Sequence, residues 1–300
     1  MSEYTHKSVL TGEVLDYLHI SKGEYYVDAT LGYAGHAIEI IMRGGIILGI
    51  EADPEILKLA KIRVEKACPP PDFVGGKSYK FVNENFRLID QILKNEGIHQ
   101  VSGILYDLGV SSLHYDHFDR GFSFQKASEA LDMRLDQKNQ NVKASDLLNV
   151  LSKKQLINMF SPFMSLGKAT EISAKVIDYR SSNKFETVSD LLSITGSKSL
   201  KDKTHPATKV FLALRATVND ELEAISVSIP KSVRLLKKGG RLVVITFHST
   251  EDSLVKSLFK NQVELGLGRI LTKKSVTPTV AELIENPRAR SARLRVLEKV

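Results

Sequence analysis

The first third of the chain alternates short apolar runs with segments of helical spacing. Apolar runs predict strands at residues 25–29, 45–50, 79–82 and 101–106. Apolar positions three and four apart predict helices at residues 32–41, 54–66 and 86–94. Strands that alternate with helices in this way are typical of a parallel sheet with helices on both faces. The pattern therefore predicts a doubly wound α/β fold.

This alternation stops after the fourth predicted strand. From about Ser112 to Val218 no strong strand pattern appears, and Ser152 and Gln155 have the spacing of a capping box. Helical spacing occurs at residues 144–152, 153–163, 168–182 and 187–196. The α/β pattern resumes with a helix over 219–237, ended by Gly239-Gly240, and a strand over 241–247. We therefore predict a helical domain inserted into the sheet domain.

Positive charge is concentrated near the end of the chain. Residues 231–300 contain 15 Lys and Arg against 6 Asp and Glu, whereas the remaining residues contain 27 against 29. A basic end on a nearly neutral body favours a polyanionic partner such as nucleic acid, and a merely solvated basic surface is the alternative. Residues 292–297 alternate as a strand would, which places Arg293 and Arg295 on one face.

Composition narrows the class of protein. No apolar run approaches the ~18 residues that a membrane span needs, and residues 1–22 lack the order of a signal peptide. The single cysteine, Cys68, excludes an internal disulfide and a cysteine-based zinc site. We expect a globular, cytoplasmic enzyme with no membrane contact and no metal.

The segment from Asp28 to His36 follows the first predicted strand and opens the next helix. It reads Asp-Ala-Thr-Leu-Gly-Tyr-Ala-Gly-His. Small residues let a ligand approach the backbone, and a helix N-terminus favours negative charge. The spacing differs from the dinucleotide fingerprint, which argues against nicotinamide chemistry. A tight turn without any ligand is the alternative.

Acidic residues close two further strands. Glu51 lies about 20 residues beyond the first turn, where a carboxylate can accept hydrogen bonds from the ribose hydroxyls of an adenosine. Asp53 precedes Pro54 and is expected to cap the following helix. Asp107 ends the fourth strand, where it could meet an adenine amino group or orient an acceptor nucleophile. Strand ends of a parallel sheet share one rim, so we expect these groups to form one site.

A series of different short motifs is distributed along most of the chain. They are His6 to Leu10, Asp28 to Gly32 with Gly35-His36, Asp107 to Ser112, Arg120 to Phe124, Leu131 to Arg134, His205 to Thr208, Phe247 to Ser249 and Asn286 to Ala292. In this order they resemble the RsmH/MraW family of bacterial 16S ribosomal RNA (cytosine-N4)-methyltransferases. Each motif alone is weak, and the ordered series is specific.

The resemblance implies a class I S-adenosylmethionine (SAM)-dependent methyltransferase with a Rossmann-like sheet. Its SAM-binding core would comprise residues 1–112 and 218–300, and an inserted all-helical substrate-recognition domain would comprise residues 113–217. The implied reaction is N4-methylation of a cytosine in the decoding region of 16S rRNA, with the small ribosomal subunit as partner and no stable protein partner. The alternative is a divergent RNA-binding or ribosome-assembly protein with weak or no turnover.

Residue roles follow from the same resemblance. The cofactor contacts of the family map onto Ala34, Gly35, His36, Glu51, Phe86, Asp107 and His114. For catalysis we expect Asp107 to accept the amine hydrogens, Ser111 to assist, and His248 to hold the base or to be structural. RNA phosphates are expected at Lys256, Arg288, Arg290, Arg293 and Arg295. Arg215 remains open between a buried ion pair and an RNA contact.

Several positions depart from the family pattern. Ala34 replaces glycine, Glu51 replaces aspartate and His114 replaces glutamine. Residues 163–166, which include Met164, replace Tyr-Gly-Glu-Glu, and Thr250 and Ser253 replace leucine and arginine. These departures put the RNA contacts and the rate in doubt, but they leave acceptors for a cofactor in place.

Overall fold

A computed structural model describes residues 7–68, 78–196 and 204–300, so His6 of the amino-terminal motif lies outside the described residues. The chain forms two compact units, Met1–Ser111 with Glu223–Val300 and Ser112–Leu222. Among the described helices, none has the length and apolar character to cross a lipid bilayer.

The first unit is built on a seven-stranded sheet. Its strands are β1 (Tyr25–Asp28), β2 (Ile46–Glu51), β3 (Tyr79–Asn83), β4 (Val101–Asp107), β5 (Leu236–Thr246), β6 (Gly268–Ile270) and β7 (Arg293–Lys299). They lie in the order β3-β2-β1-β4-β5-β7-β6. Strands β1 to β5 are parallel, whereas β7 is antiparallel to β5 and β6. The strand order reverses between β1 and β4, and ligands of such sheets bind at the carboxyl ends of the strands beside this reversal.

The described helices, in chain order, connect these strands and form most of the second unit. They are α1 (Thr11–Leu18), α2 (Gly35–Met42), α3 (Pro54–Ala67), α4 (Ile89–Asn95), α5 (Ser112–Asp116), α6 (Ala144–Val150), α7 (Lys153–Phe160), α8 (Leu166–Arg180), α9 (Val188–Thr195), α10 (Thr208–Val218), α11 (Glu221–Leu235), α12 (Ser249–Glu264) and α13 (Val280–Glu285). Single 3₁₀ turns lie at Phe86–Leu88 and Pro287–Ser291.

Apolar side chains of the central strands point alternately to two faces of the sheet. Tyr26 and Ile47 pack with the cluster that contains α1, α2 and α3 side chains. Their neighbours Val27 and Leu48 pack with the cluster that contains α4, α11 and α12 side chains. Each central strand is therefore covered on both faces, which explains its unbroken apolar run. The predicted doubly wound α/β fold is confirmed.

Two expectations about the later strands are wrong. Helix α11 ends at Leu235, and Gly239-Gly240 lie inside β5 rather than stopping the helix. The pairing of β5 with β4 shifts register there, and a Cβ at Gly240 would lie 2.9 Å from the Lys237 carbonyl oxygen. The glycines therefore serve a bulge, where a strand tolerates no side chain. The second concerns Gly268: glycine at this position of the sequence predicts a turn, but the residue begins β6.

Within the second unit, the described residues are helical apart from loops and an isolated bridge between Ala130 and Thr187. Ser152 and Gln155 form the predicted capping box at the start of α7. The Ser152 N–H donates to Gln155 Oε1 at 2.9 Å.

The motif Leu131 to Arg134, for which spacing gave no role, fastens a loop of the second unit. The guanidinium of Arg134 donates to both carboxyl oxygens of Asp132 at 2.7 Å. Met133 between them has a left-handed backbone with φ of 59°. The Asn219 amide nitrogen donates to the Met133 carbonyl at 2.8 Å, which holds the loop against the end of α10. This motif therefore acts on the fold of the unit.

Candidate active site

The loop between β1 and α2 is fixed by both neighbouring strands. The Ala29 N–H donates to the Leu105 carbonyl at 2.9 Å, and the Leu31 N–H donates to the Ile50 carbonyl at 2.8 Å. Ala34 then turns the chain into α2 with a left-handed backbone, φ 60°. At Gly35 a Cβ would lie 1.9 Å from the Ser8 hydroxyl oxygen, so only glycine fits beside that segment. The loop is thus preformed.

Glu51 fastens this loop to the end of β2. Its Oε2 accepts from the Gly32 N–H at 2.8 Å, and its Oε1 accepts from the Asp53 N–H at 2.9 Å. Burial of the carboxyl group raises the pKa of Glu51 to about 7. Each carboxyl oxygen keeps a further acceptor position, so Glu51 can still accept from ribose hydroxyls. Asp53 caps α3 as predicted, with the Glu55 N–H donating to it at 2.8 Å.

Asp28, His36 and Asp107 lie together where the strand order reverses. Asp28 is 1% exposed and His36 is 4% exposed. His36 Nε2 lies 3.5 Å from Asp107 Oδ2. The Asp107 N–H donates to the Thr30 hydroxyl at 2.6 Å, which ties β4 to the first loop. Sequence reasoning gave His36 and Asp107 only separate roles, and it gave Asp28 none, although an acid after an apolar run was the signal used for Glu51.

These buried groups perturb one another electrostatically. Burial raises the pKa of Asp28 to about 6. Burial acts to lower the pKa of His36, but the hydrogen bond and negative charge of Asp107, with the charge of Asp28, raise it above its usual value. A carboxylate on each side of an imidazole favours the protonated ring.

Three buried atoms of this group have no hydrogen-bond partner among the described residues. They are His36 Nδ1, His36 Nε2 and Asp107 Oδ1. A buried polar atom without a partner costs ~1–3 kcal/mol, and native proteins satisfy such atoms with water or a ligand. The rim is therefore prepared to receive a polar ligand.

Phe86 lies in the 3₁₀ turn after β3 and is half-buried. Its ring meets the Tyr106 ring edge-on, with centroids 5.3 Å apart. The Tyr106 hydroxyl shares a hydrogen bond of 2.8 Å with Ser232 on α11. This arrangement fixes the Phe86 ring beside the third strand end, and stacking on adenine stays a prediction. Ser111, half-buried after β4, likewise keeps its predicted role untested.

His248 occupies the N-cap of α12. Its Nδ1 accepts from the Glu251 N–H at 3.3 Å, and its Nε2 lies 2.9 Å from Glu251 Oε1. Glu251 is 1% exposed and its Oε2 accepts from the Phe247 N–H at 2.9 Å. Both ring nitrogens therefore contact Glu251, Nδ1 its backbone N–H and Nε2 its buried carboxylate. This geometry favours the structural alternative for His248 over contact with a base.

Two candidates lie in the second unit. His114 on α5 is buried, and its ring centroid lies 5.0 Å from that of Phe122. Its predicted cofactor contact stays a prediction. Arg215 is 7% exposed and donates to Glu221 through Nε at 2.8 Å and Nη2 at 2.9 Å. The buried ion pair, one of the two alternatives for Arg215, is the one present.

The basic residues near the carboxyl end divide into two groups. Arg295 donates to both oxygens of Asp252, at 2.7 and 3.0 Å, and only 11% of its side chain is exposed. Arg293 also pairs with Asp252, at 3.1 Å, but half of its side chain is exposed. Arg288, Arg290 and Lys256 are exposed. Arg295 thus serves the fold, while the exposed residues keep their predicted RNA contacts.

The family model described as the MraW methylase family matches residues 3–300. The chain belongs to this family. A relative named ribosomal RNA small subunit methyltransferase H, from Dictyoglomus thermophilum, is 40% identical over 99% of this chain and 97% of its own. A relative of the same name from Streptococcus mutans is 36% identical over 100% of this chain and 99% of its own.

Membership in the MraW methylase family fits the donor set at the rim. In the described part of the chain, no group of three or more His, Cys, Asp or Glu residues could hold a metal ion. The acceptors that converge on the β1/β4 reversal, Glu51 and Asp107, are carboxylates suited to hydroxyl and amino donors. The rim of this MraW-family chain therefore presents acceptors that a polar organic ligand could bind.

Proposed function

We propose that this protein transfers a methyl group from SAM to N4 of a cytosine in the decoding region of 16S rRNA, in the cytoplasm. The observation that carries the proposal is the group of unpartnered buried atoms, both ring nitrogens of His36 and Asp107 Oδ1, at the strand-order reversal of a methylase-family chain. Full-length relatives named for the small ribosomal subunit support the RNA substrate.

The residues present fit SAM by their chemistry. Glu51 would accept from the ribose hydroxyls, Phe86 would pack against the adenine, and the backbone of Ala34 to His36 at the start of α2 would hold the amino-acid end. His114 would complete the set. When bound, SAM supplies an electrophilic methyl group.

Asp107 is the proposed acceptor for the cytosine. The N4 amine must lie in line with the methyl group, at roughly 3–3.5 Å, and it loses one proton after it has gained the methyl. The Asp107 carboxylate, 23% exposed at the end of β4, can accept an amine hydrogen and then that proton. Ser111 follows on the same loop and would assist through its hydroxyl. Positioning by this chain would supply most of the rate.

RNA contacts are proposed in each unit by itself. We propose the second unit, Ser112–Leu222, as the substrate-recognition domain, which is what the resemblance to the family implies. In the first unit β7 begins beside Thr246, at the rim where β4 ends, because Arg293 pairs with Thr246 in the sheet. Arg288, Arg290, Arg293 and Lys256 would there contact phosphates. The base would have to leave its stack unless its nucleotide is already unpaired.

The proposal is tested by methylation of small ribosomal subunits that lack the modification. We expect the purified protein to add one methyl group at N4 of a single decoding-region cytosine, mapped by mass spectrometry of 16S rRNA fragments. Asp107→Asn should slow single-turnover methylation by at least about 100-fold with little change in RNA affinity.

Three results would count against parts of this proposal. Methylation at another atom or another RNA would contradict the substrate. SAM binding without transfer to any subunit preparation would favour the assembly-protein alternative. A normal rate for Asp107→Asn would remove Asp107 from the acceptor role.

A further inference from the structure

His36 has an environment that a backbone contact with a cofactor does not explain. Its side chain is 5% exposed, so the imidazole is enclosed by the protein. Neither ring nitrogen has a hydrogen-bond partner among the described residues, and Nε2 lies 3.5 Å from Asp107 Oδ2, at ion-pair distance. Burying polar atoms without hydrogen bonds is unfavourable, so an apolar side chain would fill this part of the core better than histidine does. The imidazole therefore calls for a role other than packing.

We propose that the His36 imidazole is a positioning residue for Asp107: the ring, with Nε2 3.5 Å from Oδ2, holds the carboxylate in the orientation in which it accepts a hydrogen from the substrate amine. This inference rests on the proposed function. Oδ1 is buried, and the contact that faces the imidazole is made by Oδ2, at ion-pair distance. A carboxylate held at one oxygen cannot rotate freely about its Cβ–Cγ bond, which keeps the group in one orientation.

Two structural constraints support this arrangement. The Asp107 backbone is fixed by the hydrogen bond that its N–H donates to the Thr30 hydroxyl, so only rotation of the side chain remains to be restricted. His36 lies in the first turn of α2, directly after the fixed residues Ala34 and Gly35. The donor and the acceptor are thus each carried by rigid backbone, as a positioning pair requires.

The charges that face His36 come from three elements. Asp107 lies on β4, Asp28 ends β1, and Glu39 follows on α2 itself. All three are acids, and all favour the protonated ring, against burial. The negative charge of Asp28 therefore adds to that of Asp107 in favouring a proton on the imidazole.

The pairing is tested first by NMR titration of the His36 ring in the full-length protein without added ligand. We expect the pKa of His36 to fall by about one pH unit in Asp107→Asn, and also to fall in Asp28→Asn, because each change removes a negative charge that favours the imidazolium. His99, which is exposed before β4, is the internal control and should not move. An unchanged His36 titration in Asp107→Asn would overturn the proposal.

The positioning role is tested by two substitutions at His36. Leucine removes the donor, whereas glutamine places an amide N–H close to where Nε2 lies. We expect His36→Leu to lower the single-turnover rate about 10- to 100-fold with a smaller change in KM, and His36→Gln to regain most of that loss. His99→Gln is the matched control and should leave the rate unchanged.

Equal rates for His36→Gln and His36→Leu would overturn the positioning role, and so would a normal rate for His36→Leu. If His36→Leu does not fold, the comparison of His36→Gln with the wild-type protein tests the role. The proposal then requires that the rate of His36→Gln be within about threefold of the wild-type rate. If the wild-type protein methylates no ribosomal RNA, the proposed function fails, while the titration still reports whether His36 and Asp107 are paired.

Discussion

Ala34 has a left-handed backbone conformation, with φ of 60°, that is common for glycine but rare for L-residues other than asparagine and aspartate. The left-handed conformation costs alanine roughly 1–2 kcal/mol. It persists because the loop is bonded to two strands and α2 begins at the next residue. This chain therefore carries strain at a position where the family has glycine.

Ala34→Gly should consequently be nearly neutral or stabilise the protein by up to about 1 kcal/mol, because relief of strain offsets the added freedom of the unfolded chain. The control is Ala37→Gly, inside the same helix, which should destabilise by about 1 kcal/mol or more. Urea denaturation of both variants measures the difference. An equal loss of stability at the two positions would show that Ala34 is not strained.

If Glu51 binds the cofactor as proposed, its raised pKa makes that binding depend on pH. Its pKa is raised to about 7, and ribose hydroxyls donate to the ionised carboxylate. We expect SAM affinity, measured by titration calorimetry, to rise by about tenfold from pH 6 to pH 8, as the competent fraction increases. In Glu51→Gln this rise should disappear. A wild-type affinity that is flat over this range would mean that Glu51 is not the ribose acceptor.

The raised pKa of Glu51 also affects the stability of the folded protein, which changes with pH in the direction opposite to cofactor affinity. Because the folded state raises the pKa of Glu51, the folded protein binds this proton more tightly than the unfolded chain. The resulting stabilisation is complete below the unfolded value of 4.5 and is lost as pH rises to about 7. Free protein should thus gain stability at mildly acidic pH from this group, while its cofactor binds better at neutral pH.

At the scale of elements, α12 is fastened to β7 by Asp252. Its carboxylate receives three hydrogen bonds, two from Arg295 and one from Arg293. These guanidinium groups hold the pKa of Asp252 below its usual value, against the effect of burial. The helix that begins at the end of β5 is therefore tied to the next strand in the sheet.

Arg295→Ala should destabilise the protein by roughly 1–3 kcal/mol, because it leaves a mostly buried carboxylate with one partner. Arg293→Ala should cost less, since half of its side chain is exposed. Chemical denaturation of the two single variants compares them. A larger loss for Arg293 would contradict this ranking.

Elements with strong local signals were predicted from the sequence, and those that depend on distant contacts were not. Apolar runs predicted β1, β2 and β4 because both faces of these strands are buried, and the half-buried edge strand β3 has a shorter run. The strand β6 has three residues, and it exists because it pairs with β7, which no local pattern reveals. The glycines of β5 looked like a helix stop because a bulge has the same composition.

The candidate site shows the same division. Acids at strand ends located Glu51 and Asp107 on one rim, since strand ends carry that information in sequence order. The approach of His36 to Asp107 depends on how α2 returns over the sheet, and the capture of Arg295 by Asp252 joins residues 43 positions apart. Neither pairing has a signature in the sequence.

At the scale of the whole molecule, the basic charge lies late in the chain but at a defined place in the first unit. Strand β7 runs antiparallel to β5, so residues 288–293 lie at the rim where β4 and β5 end. Helix α12 starts at that rim as well, directly after β5. A polyanion that approached the rim would thus meet Arg290 and, along α12, Lys256. The carboxyl end of α2 lies near the amino ends of the strands, opposite the rim.

This placement separates RNA contacts from ordinary surface charge. We expect Arg290→Ala combined with Lys256→Ala to weaken binding of small ribosomal subunits. The slope of log affinity against log salt should become shallower by roughly 0.7–0.9 for each phosphate that the variant no longer neutralises. SAM affinity should stay unchanged, because neither residue lies at the strand-order reversal.

The matched control is Arg43→Ala, at the end of α2, where the guanidinium already pairs with Glu39 at 2.7 Å. Arg43→Ala removes one positive charge, as each substitution at the rim does. Arg43, however, lies near the amino ends of the strands, away from the rim. Its salt slope should therefore equal that of the wild-type protein. If the double variant and the control gave the same slope, general electrostatic attraction would account for the basic residues, and specific phosphate contacts at the rim would be ruled out.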